Sequence, residues 1–245
     1  MNPFDSVYAD LYNKIHSAKN YDDEALKLFN FCNERELIKP NSRILDFGCG
    51  TGSHIKSLKK LGLSVDGYDP SSFMIENTHT EFKDVNFFSD LDDMKIKYDL
   101  IYSLFDVFSY QVEDVEVTAF LTQILTVLKD SAFFIFDYWN ADGVKKNPPT
   151  ERVLHFDNLG VAYTRMVTLG TSELPNISNL IIEIYRDSND ELVYRKNHFM
   201  RAFSEIDILK FLPSTCELIA LVDQADYKSK ISSNSWRALA LIRKL

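Results

Sequence analysis

The sequence predicts an α/β fold: one doubly wound, seven-stranded, mostly parallel sheet with an antiparallel β insertion late in the chain. Three observations predict it. Five apolar, strand-like runs alternate with helical stretches between residues 44 and 140, which implies right-handed βαβ units. A glycine-rich turn follows the first of these runs directly, at the strand end where open α/β sheets bind ligands. After Pro148-Pro149 the pattern changes to short runs that alternate apolar and polar residues, as half-covered antiparallel strands do.

The central stretch is Ile44-Leu45-Asp46-Phe47-Gly48-Cys49-Gly50-Thr51-Gly52. Its start reads as the end of a buried strand, and glycines at 48, 50 and 52 allow positive φ and close backbone approach to a ligand. Residues 53–61 carry Ile55, Leu58 and Leu61 at a helical interval, and Gly62 closes that helix. The spacing is not the dinucleotide fingerprint G-x-G-x-x-G, since Ser53 and Ile55 stand where its third glycine would fall. Upstream, Tyr8, Tyr12 and Tyr21 with His16 and Lys19 mark a segment that either packs on the domain or covers the turn as a lid. Asn20 caps a helix whose first turn holds Asp22, Asp23 and Glu24 and whose buried face holds Ala25, Leu28, Phe29 and Cys32.

A second strand over 63–68 ends in Asp69, 17 residues beyond Gly52, at a spacing that suits an acceptor for ribose hydroxyls. Pro70, Ser71 and Ser72 start a helix with Met74 on its first turns. Strands over 85–88, 98–104 and 132–136 follow, ending in Ser89-Asp90-Leu91, Phe105-Asp106 and Asp137-Tyr138-Trp139-Asn140. A helix over 113–128 buries Val117, Phe120, Leu121, Ile124 and Leu128. The insertion, residues 150–201, holds runs at 152–156, 161–169, 180–186 and 192–200, and separates a main domain made of 1–149 and 202–245. Ser204 caps a short helix, and 217–222 and 236–242 are the last two strands.

The 245 residues are 45% hydrophobic, enough for one sizeable core, with a net charge of −9. The first 150 carry 15 Lys and Arg against 24 Asp and Glu; the rest carry 12 of each. No basic tract offers itself to phosphates, so nucleic acid is not the expected partner. Cys32, Cys49 and Cys216 are too widely spaced for a zinc site or a disulfide framework, and no metal is expected. No apolar run approaches ~18 residues, so the expectation is a cytoplasmic protein without membrane association, a monomer or homodimer acting on a small molecule.

The D-x-G-x-G-x-G motif at 46–52, Asp69, the Ser89-Asp90 turn and the paired terminal strands together resemble class I S-adenosylmethionine (SAM)-dependent methyltransferases. Tyr12, Tyr21, Leu104-Phe105-Asp106, the run at 136–140 and His198-Phe199-Met200-Arg201 resemble a small-molecule subgroup, with amino-sugar and glycine N-methyltransferases as members. The resemblance implies the class I fold, with its last strand antiparallel, and SAM as cofactor with S-adenosylhomocysteine as product. It implies a backbone cradle at Gly48, Gly50 and Gly52, ordered by Asp46, and Asp69 on the ribose. It further implies Met74, Asp90 and Leu91 at adenine, Leu104 and Phe105 beside the sulfonium, and Tyr12 and Tyr21 over the carboxylate end.

Methyl transfer needs alignment, water exclusion and an environment that tolerates a sulfonium cation. Phe105, Tyr110, Tyr138 and Trp139 are candidates for an aromatic wall and acceptor pocket, or are plain core. A hydroxyl acceptor requires a base, whereas an amine requires only its neutral form. His198, Asp106 and Asp137 are the candidates for catalytic work, and Arg201 for holding an anionic group, against readings as a sheet-surface histidine and a surface ion pair; the insertion is expected to roof the acceptor site, with Arg152, Arg165, Arg195 and Arg201 available to an anionic acceptor. Two other classes fit the same sheet: a nucleotide-dependent oxidoreductase, against which the glycine spacing speaks, and a non-catalytic SAM-fold subunit, against which the intact motif speaks.

Overall fold

The computed structural model describes residues 3–76, 78 and 82–245. The N-terminal helices are α1 (Ser6–Ile15) and α2 (Tyr21–Glu34), capped by Asp5 and Asn20, whose side chains accept from Tyr8 N and Asp23 N. Alternation then proceeds through β1 (Ile44–Phe47), α3 (Ser53–Lys60), β2 (Val65–Tyr68), α4 (Ser72–Glu76), β3 (Phe87–Phe88), β4 (Tyr98–Ser103), α5 (Asp114–Val127) and β5 (Leu128–Asn140). The chain continues through α6 (Ala141–Lys146), β6 (Arg152–Asn158), β7 (Val161–Gly170), β8 (Ile177–Arg186) and β9 (Glu191–Phe203). It closes with α7 (Glu205–Phe211), β10 (Cys216–Asp223) and β11 (Arg237–Lys244).

Strands β3, β2, β1, β4 and β5 lie side by side in parallel, as expected for a doubly wound sheet. β11 pairs antiparallel with β5 along Arg237↔Trp139 to Arg243↔Phe133, and β10 pairs antiparallel with β11. The seven strands therefore run 3-2-1-4-5-11-10, with one reversed. One apolar layer packs around Phe47, Ile101, Phe120, Phe134 and Ala240. The other packs around Leu28, Ile55, Leu100, Ile135 and Leu241. Consecutive residues of β4 and β5 thus feed opposite layers, as a sheet covered on both faces requires.

β6 to β9 form an antiparallel meander. Its last strand runs past residue 201 and joins the carboxyl end of β5 in parallel, through Trp139↔Ala202 and Asn140↔Phe203. The insertion is thereby anchored at the end of the main sheet where β1 and β4 open. α1 lies on the meander: Tyr8, Leu11 and Ile15 pack with Val167, Ile182, Ile184 and Tyr194.

Among the element bounds that differ from expectation are those of β5 and β3. β5 begins at Leu128 and reaches Asn140 rather than spanning 132–136. The polar residues Asp137 and Asn140 look like strand ends in sequence but are buried and hydrogen-bonded, Asn140 Nδ2 donating to the carbonyls of Ser232 and Ser235. β3 keeps only Phe87–Phe88 of the expected 85–88.

Candidate active site

A cavity of about 340 Å³ opens at the carboxyl ends of β1 and β4. Its floor is the turn after β1. Gly48 N and Cys49 N both donate to the Tyr68 carbonyl, at 2.7 and 2.9 Å, and Gly50 N donates to Asp69 Oδ2 at 2.9 Å. The other carboxylate oxygen of Asp69 accepts from Ser71 N at 2.9 Å. One acidic side chain at the end of β2 therefore fixes both loops that border the cavity. Burial outweighs these two bonds and pushes the Asp69 carboxyl up to about 6. Gly48, Gly50 and Gly52 all hold positive φ, of 88°, 54° and 78°. At Gly50 a Cβ would stand 3.2 Å from Met74 Cε and 4.0 Å from the Tyr12 ring, inside the cavity, so this backbone is open to a ligand only as glycine.

Asp46 lies beneath this turn, 2% exposed, and does not line the cavity. Burial and the nearby Asp69 charge, opposed by the Tyr102 hydroxyl, raise its carboxyl to about 8, so it is mostly protonated at neutral pH.

The second wall is the loop after β4. Phe105 and Asp106 are consecutive non-glycine residues in the left-handed region, at φ 70° and 68°. Their amides both donate to Asp137, Phe105 N to Oδ2 at 3.0 Å and Asp106 N to Oδ1 at 2.8 Å. Asp106 in turn forms a two-pronged pair with Arg237, at 2.5 and 2.7 Å. This bracing turns Leu104, Phe105 and Val107 toward the cavity. It also corrects the expectation that Asp106 and Asp137 act on the acceptor: neither lines the cavity, and both carboxylates are engaged in building the turn. Burial and the neighbouring Asp106 charge push Asp137 up to about 7.

The roof is made of aromatic side chains from three distant segments. Tyr12, Tyr21 and Tyr110 line the cavity together with Pro3 and Phe4. The N-terminal segment is tied at two points, Ser71 Oγ donating to the Phe4 carbonyl and Tyr194 OH donating to the Pro3 carbonyl, both at 2.8 Å. His198, 1% exposed, sits behind Tyr110, with Nδ1 2.9 Å from Tyr110 OH and Nε2 2.8 Å from Tyr194 OH. The geometry fixes the proton positions. A carbonyl only accepts, so the single Tyr194 hydroxyl proton goes to Pro3 and the imidazole supplies the proton at Nε2. Nδ1 then accepts the Tyr110 proton. Burial and the Arg165 charge lower His198 to about 4, which keeps it neutral in this arrangement.

The remaining expected residues divide. Met74, Leu104 and Phe105 line the cavity along with Gly48, Gly50, Tyr12, Tyr21 and Asp69. The face of Phe105 already carries a cation, Lys19 Nζ at 4.3 Å from the ring centroid. Asp90 and Leu91 do not reach the cavity: Asp90 accepts from Asp92 N in a short turn, and Leu91 packs on the core. Tyr138 is core, 1% exposed, rather than acceptor pocket. Trp139 lines a separate cleft. Arg201 pairs with Asp114 at 2.9 Å and lies over Phe203 and Phe211, so its charge is turned away from the site. Sequence reasoning did not single out Val107, Tyr194 or Arg237. Tyr194 had a signal, standing four residues before His198 on an alternating strand and hence on the same face.

No helix among the described residues is long and apolar enough to cross a membrane, and none of their His, Cys, Asp and Glu side chains cluster as a metal site. A family model for the methyltransferase domain matches residues 17–175. A SAM-dependent methyltransferase from Clostridium acetobutylicum superposes with a TM-score of 0.74 at 20% identity, covering 97% of this chain and 98% of its own. A sugar N-methyltransferase from Streptoalloteichus gives 0.72 at 16% identity, covering 94% and 91%. A SAM-bound amino pentose methyltransferase from Micromonospora echinaspora gives 0.69 at 17%, covering 100% and 99%. At such identities the shared property is the fold. No curated protein matches the chain significantly. The family match spans well over half of the sequence and includes the glycine turn, Asp69 and the strained loop after β4: the chain belongs to the methyltransferase-domain family, as a class I SAM-dependent methyltransferase.

Proposed function

We propose that the enzyme methylates a nitrogen of a compact small molecule, with the cofactor on the 48–52 turn and the acceptor beneath Tyr110. Bound SAM supplies an electrophilic methyl group. The residues of the turn fit it: open glycine backbone, an acidic acceptor at the end of β2, and a largely apolar wall from Met74, Leu104 and Phe105. Asp69 keeps lone pairs free beyond its two amide bonds and holds the ribose hydroxyls. Tyr12 and Tyr21 close over the amino-acid end, and the N-terminal segment limits access by water.

The observation that carries the acceptor reading is the proton arrangement at Tyr110. Its hydroxyl proton points to His198 Nδ1, so its oxygen presents lone pairs to the cavity. Such an oxygen accepts an N–H bond from an amine and aims the nitrogen lone pair. His198, lowered to about 4, is a weak base and suits a nucleophile that reacts in its neutral form better than a hydroxyl that must lose a proton. Amino sugars and small amines are therefore the first acceptors to try, and the neighbours described as acting on sugar nitrogen or amino pentoses support that choice. The test is S-adenosylhomocysteine formation across a panel of amino sugars, amines, sugar nucleotides and hydroxy acids. Turnover confined to hydroxyl acceptors would overturn the nitrogen assignment.

A further inference from the structure

A second cleft, of about 530 Å³, lies between the end of the main sheet and the insertion. Trp139 and Trp236 come from the main sheet side, and Arg152 and Arg165 from β6 and β7. Trp139 is 4% exposed and its indole Nε1 has no hydrogen-bond partner. Arg165 is half-buried, and its Nε has no partner although its guanidinium also bonds the Tyr8 hydroxyl. Arg152 has no carboxylate partner among the described residues, whereas Arg237, at the edge of the cleft, is neutralised by Asp106. No acidic residue is among those lining the cleft. Buried donors left without acceptors are rare and costly in native structures, and two of them belong to residues that line one cationic cleft.

The cleft adjoins the acceptor position. Trp139, Leu180 and Trp236 belong to the same apolar cluster as Tyr110, and Trp139 N donates to Ser109 Oγ, next to Tyr110. The positive charge of Arg165 is also felt by both Tyr110 and His198. We infer that this cleft is a binding subsite for an anionic, oxygen-rich group of the methyl acceptor, a phosphate or carboxylate held by Arg165, Arg152 and the Trp139 indole N–H. A guanidinium fork matches either anion, and the indole adds a third donor. The inference deepens the acceptor reading above and rests on it for the identity of the ligand.

The chain has two tryptophans, and both line this cleft, so intrinsic fluorescence reads it directly. The full chain is titrated at constant ionic strength with inorganic pyrophosphate and, separately, with succinate, each with and without S-adenosylhomocysteine. A saturable fluorescence change is expected with at least one anion; pyrophosphate alone assigns a phosphate, succinate alone a carboxylate. Arg165→Met should weaken that binding about tenfold or more, and Arg152→Ala, at an exposed position, should weaken it in a protein whose fold is not in question. S-adenosylhomocysteine affinity measured by calorimetry should stay the same in both variants. Absence of saturation with both anions, or unchanged affinity in both variants, overturns the subsite. Failure of the wild type to bind S-adenosylhomocysteine would instead overturn the cofactor placement, leaving the anion titration to judge the cleft.

Discussion

At the floor of the cavity, acidic side chains hold backbone amides; at the roof, aromatic side chains hold one histidine. Asp69 fixes Gly50 and Ser71, and Asp137 fixes Phe105 and Asp106. Tyr110 and Tyr194 bracket His198, and the same chain of bonds ends on Pro3. Burial raises the carboxyls of Asp46, Asp69 and Asp137, and lowers His198 and also His16, which packs against Tyr12 and Phe105. The difference teaches a division of labour. On the proposed placement the cofactor rests largely on the backbone of the 48–52 turn, which a change of side chain alters least. On the proposed placement the acceptor meets side chains contributed by the N-terminal segment and the loop after β4, with His198 of the insertion bonded to Tyr110 from behind.

The largest effect that would break this comparison is on stability. Asp137→Ala leaves two amides without their acceptor at a strained turn, and should cost about 3 kcal/mol in urea denaturation. Asp137→Asn retains one acceptor oxygen and should lose less. Equal stability of wild type and Asp137→Ala would remove Asp137 from its bracing role.

Next in size is Gly50→Val. A β-branched residue at φ 54°, with its Cβ against Met74, combines backbone strain of roughly 1–2 kcal/mol with a blocked surface. S-adenosylhomocysteine affinity should fall by about tenfold to a hundredfold in calorimetry. Unaltered affinity in a folded protein would show that the ligand lies elsewhere.

Tyr110→Phe sharpens the comparison from the other side. It removes the hydroxyl that faces the acceptor and leaves His198 Nδ1 unpaired. Turnover should drop about tenfold while S-adenosylhomocysteine affinity stays at the wild-type value. A parallel loss of cofactor affinity would mean that floor and roof are not separate.

A further effect is in the pH dependence of stability, where the two regions act with opposite sign. The raised carboxyls bind more protons folded than unfolded. Their contribution is complete below the unfolded carboxylate range near pH 4 and is lost as pH rises through about 6 to 8. The lowered histidines bind fewer protons folded. Their contribution is complete above about pH 6.5 and is lost as pH falls toward about 4 and 3. Stability should therefore decline on both sides of mildly acidic pH, with Asp46→Asn flattening the alkaline limb and His198→Phe the acid limb. A pH profile that neither variant changes would contradict these assignments.

The floor was legible because its chemistry is local. The 46–52 motif and Asp69 sit at strand ends that hydrophobic runs reveal, and positive φ was readable from glycine itself. Of the roof, Tyr12, Tyr21, Tyr110 and His198 were named from the sequence, but the bonds that tie it together were not legible, because they join residues 88 and 191 positions apart, Tyr110 to His198 and Pro3 to Tyr194. Asp106 and Asp137 read as bases because an acidic residue at a strand end resembles a reactive one. Only the fold shows amides and a guanidinium already occupying them. The left-handed pair Phe105 and Asp106 carried no glycine to announce it. Arg201 read as an anion anchor until α5 supplied Asp114; of the insertion's other arginines available to an anionic acceptor, the fold brings Arg152 and Arg165, not Arg195, to the second cleft.

The central claim is that the cofactor lies between the glycine turn and Tyr110, with its reactive end toward the roof. The most direct measurement is a crystal structure of the S-adenosylhomocysteine complex. The account predicts both ribose hydroxyls within hydrogen-bond distance of Asp69, and the sulfur facing the Phe105 and Tyr110 side of the cavity. A ribose held by any other group, or a sulfur directed away from Tyr110, would contradict it.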